Sequence, residues 1–67
     1  MTYETMAAVA TAVVETVQES GRDGAPSGIL YAAVQTMGMS LNLYQSMMDA
    51  LVHGGILARS GNVYRIA

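Results

Sequence analysis

The apolar residues of this chain change their spacing once, at Gly54-Gly55, and that change leaves few folds open. Before it, they recur at helical intervals. From Glu4 to Ser20 the stripe is Met6, Val9, Ala10, Val13, Val14 and Val17, with Glu15, Gln18 and Glu19 away from it. Thr2 or Thr5 can cap that helix, and Gly21 offers the left-handed residue that ends it. Gly21–Ala25 reads as a turn cluster. Pro26-Ser27-Gly28 then opens a second helix, with proline in its first turn or Ser27 as the cap. Its apolar set is Ile29, Leu30, Ala33, Val34 and Met37, and Gly38 closes it. Ser40 is the N-cap of a third helix from Leu41 to about His53. That helix turns Leu43 or Tyr44, then Met47, Met48, Leu51 and Val52, toward a core.

Beyond Gly54-Gly55 the chain reads as Ile56–Arg59 and Asn62–Ile66, two short extended runs around Ser60-Gly61, which is a hairpin signal. On the second run Tyr64 and Ile66 share one face, Val63 and Arg65 the other. The expectation is a mainly α domain of three helices with a small C-terminal β-hairpin. No repeat, low-complexity tract or linker divides residues 1–67, so it is a single domain.

Composition narrows what such a domain can do. A chain of 67 residues buries only about 60% of its unfolded surface, and without cysteine no disulfide supplements that core. At 52% apolar and 12% charged it is too hydrophobic for a disordered tail. No apolar run approaches the roughly 18 residues of a membrane span. Met1-Thr2-Tyr3-Glu4 also lacks the basic start of a signal peptide, so a cytoplasmic protein with no membrane partner is expected. The net charge is −2, lysine is absent, and the cations are Arg22, Arg59 and Arg65. DNA affinity rests largely on cations that neutralise phosphates, so the charge disfavours DNA. A small domain with so few charges is expected to self-associate or to meet a protein partner.

The order of helix, loop, short helix, tight turn, helix and hairpin resembles the winged-helix (winged helix-turn-helix) superfamily. Met39-Ser40-Leu41-Asn42-Leu43-Tyr44 looks like the start of a recognition-type third helix. Leu51-Val52-His53-Gly54-Gly55-Ile56-Leu57 looks like its exit into the first wing strand, and Arg59–Ile66 resembles the wing. The resemblance covers about residues 5 to 66 and rests on architecture and the Gly-Gly-Ile-Leu hinge. The blocks Pro26–Ala32 and Met39–Tyr44 are also similar to small bacterial proteins, which implies a bacterial source and no particular activity. Winged helices mainly bind DNA, with the third helix in the major groove and the wing on the backbone, whereas a smaller group makes only protein contacts.

If the apolar side of the third helix faces the core, its outward residues are Asn42, Gln45, Ser46, Asp49 and His53. Asn42 and Gln45 carry the amide chemistry that reads adenine, and Ser46 suits a base or a phosphate. With Arg59 and Arg65 on the wing, Asn42, Gln45, Ser46 and His53 are the candidate DNA contacts. The same residues also describe an ordinary solvated face, on which Asp49 repels phosphate. On the first helix, Ala7, Ala8, Thr11 and Ala12 form a small-residue surface that lets a second backbone approach, the candidate dimer face. An alanine-rich exposed helix has the same composition.

Asp49 and His53 stand at i, i+4, but two ligands without a third donor make a poor metal site. One histidine assembles no catalytic triad, and the glycines around Gly24 lack the lysine of a phosphate loop. The methionines fill core positions, with Met39 the expected exposed exception. The expectation is a non-catalytic binding module without cofactor or metal. It acts as a protein-interaction or homodimeric adaptor; the alternative is a DNA-binding transcriptional regulator that uses the third helix and the wing.

Overall fold

A computed structural model of the chain describes residues 3–67, with side chains from residue 4 onward. Its elements are α1 (Tyr3–Glu19), a 3-10 turn (Gly21–Asp23), β1 (Ala25–Pro26), α2 (Ser27–Gln35), α3 (Leu41–His53), β2 (Leu57–Ser60) and β3 (Val63–Ile66). The fold is mainly helical, with a small three-stranded antiparallel sheet in the order β1-β3-β2.

The core is built where the helical stripes meet. Val9, Val13 and Val17 of α1 are buried, and Met6, Ala10 and Val14 flank them half-buried. Tyr44, Met47 and Met48 of α3 pack against them with Leu30, Val34, Leu57 and Tyr64. Val17 and Met48 are fully excluded from solvent. α3 starts as its sequence demands, with the Ser40 side chain accepting a hydrogen bond from the Leu43 amide at 3.2 Å. It ends at a left-handed Gly55 (φ 78°), where the Ile56 amide donates back to the Leu51 carbonyl at 3.0 Å. The Thr2 alternative for capping α1 lies outside the described residues, and Thr5 sits inside that helix.

Several expectations are corrected. The segment read as a turn contains β1, which pairs Ala25 with Tyr64 and Pro26 with Val63. Gly24 permits this approach. Its φ is +76°, and a β-carbon there would overlap the Tyr64 carbonyl oxygen and lie 2.9 Å from Val63 Cγ1. Pro26 therefore stands outside the helix, as an extended N-cap residue without a side-chain cap bond. Ser27 does not cap either. It is the first helical residue, its amide donates to the Asn62 carbonyl at 2.7 Å, and its hydroxyl meets Tyr44.

The other corrections concern side chains at the ends of α2 and β2. Met39 is buried at 2% exposure, because the turn after α2 folds it inward and its amide reaches the Val34 carbonyl at 3.5 Å. Ile29 and Met37, expected in the core, are 65% and 56% exposed. A short helix presents one side to a core, and here that side carries Leu30 and Val34, with Tyr31 half-buried beside them. Ile56 is likewise exposed and precedes the strand it was expected to begin.

Candidate functional site

α3 offers its polar side to solvent. Asn42, Gln45, Ser46, Asp49 and His53 are all exposed, as expected. The helix carries no arginine or lysine, and His53 stands in its last turn. Leu41, at the start of the same helix, is 47% exposed. Its buried side is anchored to α2: the Tyr44 hydroxyl shares a hydrogen bond with the Ser27 hydroxyl at 3.1 Å and donates to the Ser27 carbonyl at 3.3 Å. The Tyr31 ring stands 5.3 Å from that of Tyr44, tilted by 51°. Burial raises the Tyr44 pKa, and the Ser27 hydrogen bond offsets part of that rise.

The two wing arginines do not form one surface. Arg59 pairs across the sheet with Tyr64, and Arg65 with Ala58, so the pleat sends the two side chains to opposite faces. Arg59 folds onto its own hairpin: Nε donates to the Gly61 carbonyl at 2.8 Å, and the guanidinium lies 5.7 Å from the centre of the Tyr64 ring. Arg65 instead lines an open cleft of about 490 Å³ with Gln18 and Arg22, below the end of α1. The structure thus joins Arg65 to Arg22 and separates it from Arg59.

Ala7, Ala8, Thr11 and Ala12 are all exposed on α1, but they lie on a ridge rather than in one hollow. Ala7 and Thr11 line a groove beside Leu51 and Ile56 that also holds Glu15. Ala12 lines a different groove, of about 180 Å³, between α1 and α2. Thr11 donates its hydroxyl to the Ala7 carbonyl at 2.9 Å, so it presents a methyl group and no spare donor.

The α1–α2 groove is the feature that sequence reasoning missed. Its lining holds no charged residue, and Ala33 of α2 and Met37 of the turn after it form one wall. A signal for it exists in the chain: no charged residue occurs between Asp23 and Asp49, so α2 has no charged side with which to face water. Among the described residues no three potential metal-ligating side chains gather, and none of the described helices is long and apolar enough to cross a membrane. Comparison with known proteins finds no match, whether to a family model, a curated protein or a solved structure.

Proposed function

We propose that this domain is a non-catalytic winged-helix-like binding module that works through protein–protein contact, as a homodimeric adaptor or on a protein partner. The observation that carries the reading is the distribution of charge against apolar exposure. α3 has no arginine or lysine, and Arg59 is held down on its hairpin. Ile29, Met37 and Leu41 meanwhile stand in solvent, more large apolar surface than solubility favours. Binding to a phosphate backbone draws on free cations, whereas protein contact draws on uncharged surface of this kind.

One observation favours the second reading, a DNA-binding regulator. The order of three helices and a hairpin is the one the winged-helix resemblance implies, with Asn42, Gln45, Ser46 and His53 open to a groove. A two-dimensional NMR titration with mixed-sequence duplex DNA at about 50 mM salt, where phosphate contacts are strongest, separates the two. Protein contact predicts a flat titration. Shifts gathered on residues 40–53, Arg59 and Arg65, and abolished by R59A/R65A, would replace it with the regulator.

A further inference from the structure

We propose that the cleft between the end of α1 and the outer face of the sheet binds the phosphate group of a small phosphomonoester, held between Arg22 and Arg65. Such a site goes beyond the protein-contact reading and does not depend on it. It also stands apart from the DNA reading, because no residue of α3 lines the cleft. Folding gathers the unpaired positive charge in this one place. The chain has three arginines and no lysine, and Arg59 is engaged by the Gly61 carbonyl and the Tyr64 ring. Arg22 and Arg65 face the same cleft, and among the described residues neither has an ion pair or a side-chain hydrogen bond. Asp23, next to Arg22 in the chain, lies outside the lining, which holds no acidic side chain.

Backbone geometry puts both arginines there. Arg65 lies opposite Ala58 across β2 and β3, and so small a neighbour leaves its side of the sheet open. On the other side Gly24 removes an obstacle: a β-carbon there would lie 2.5 Å from Arg65 Cγ, so the arginine stem passes where only glycine leaves room. Arg22 stands on the 3-10 turn, which the Gly24 amide closes by donating to the Gly21 carbonyl at 3.2 Å. That turn packs against β3, which carries Arg65. Gln18, in the last turn of α1, adds an exposed carboxamide to the lining.

The donors suit a phosphate dianion better than a carboxylate. One guanidinium fork satisfies both oxygens of a carboxylate, whereas two forks and an amide match the three acceptor oxygens of a phosphomonoester. The two arginine charges also balance the roughly −1.5 to −2 that such a group carries at neutral pH. Beside the cations the lining is apolar: Ala58 is half-buried and Ile66 is 42% exposed, which gives the organic part of the ligand a surface to lie against. At about 490 Å³ the cleft falls within the roughly 300–1,000 Å³ of small-molecule sites.

Two-dimensional NMR titrations of the whole chain at about 50 mM salt, where screening is weak, test the site with phenyl phosphate, inorganic phosphate and benzoate. Phenyl phosphate is expected to give saturable shifts confined to Gln18, Gly21, Arg22, Ala58, Arg65 and Ile66. R22Q and R65Q, each verified as folded by its own spectrum, should weaken that binding roughly tenfold, and R59Q, outside the cleft, should leave it unchanged. Inorganic phosphate should shift the same residues with several-fold weaker affinity. Equal affinity would overturn the organic part and leave free phosphate as the ligand. Benzoate bound as tightly as phenyl phosphate would overturn the preference for a dianion. Shifts that never saturate, or that survive both R22Q and R65Q, would overturn the site and leave the protein-contact reading untouched.

Discussion

α2 and α3 pack on the same core, and one uncharged segment supplies all of α2 and most of α3, yet they use their apolar residues differently. α3 begins at a serine cap, buries Tyr44, Met47 and Met48, and turns amides, Ser46, Asp49 and His53 outward. α2 begins at a proline without a side-chain cap, buries Leu30 and Val34, and leaves Ile29 in water, as the turn after it leaves Met37. The apolar residues of α3 are largely accounted for by folding. Those of α2 and the turn after it exceed what the monomer's core uses, with Ile29 on the helix and Met37 in the turn both left exposed. A surplus of that kind is better evidence of a contact surface than apolar content alone, because isolated exposed apolar residues are normal.

Methionine provides the largest test of this difference. M48A empties a fully buried site in α3 and should cost about 2–5 kcal/mol in urea unfolding. M37A removes a side chain that is 56% exposed and should change stability by less than about 0.5 kcal/mol. Equal losses in the two variants would break the comparison. The helix starts give a smaller effect. S40A removes the hydroxyl that accepts the Leu43 amide and should cost about 1 kcal/mol, read from the same unfolding curves.

An effect of similar size, with a pH dependence of its own, lies where the two helices meet. Burial raises the Tyr44 pKa above its ordinary value of 10.0, so the native state holds the phenolic proton more tightly than the unfolded chain does. Stability from this source is complete below pH 10 and is lost as pH climbs through the folded value. Y44F should lose about 1 kcal/mol at neutral pH, with the Ser27 hydrogen bonds. Its stability should then fall less steeply than the wild type's above pH 10.

Much of this was legible in the residues themselves. The valine stripe of α1, the Ser40 cap, the glycine stop after His53 and the change of period into the hairpin are local signals, each set by backbone and side-chain chemistry within a few positions. The polar side of α3 followed from the same periodicity, and its exposed residues are the ones expected. What escaped depended on distant partners. β1 is two residues long and exists because β3 lies alongside it, which Gly24 allows by having no side chain. The opposite directions of Arg59 and Arg65 follow from the register of β2 with β3.

The choice between the two apolar rows of α2 was likewise invisible in its own sequence, since Ile29 and Leu30 are equally hydrophobic neighbours. Periodicity determined that α2 would be a helix with excess apolar surface. Tertiary packing decided which row is buried: a helix of nine residues seated against α1 and α3 has room for Leu30 and Val34 beneath it, and Ile29 and Met37 are left outside.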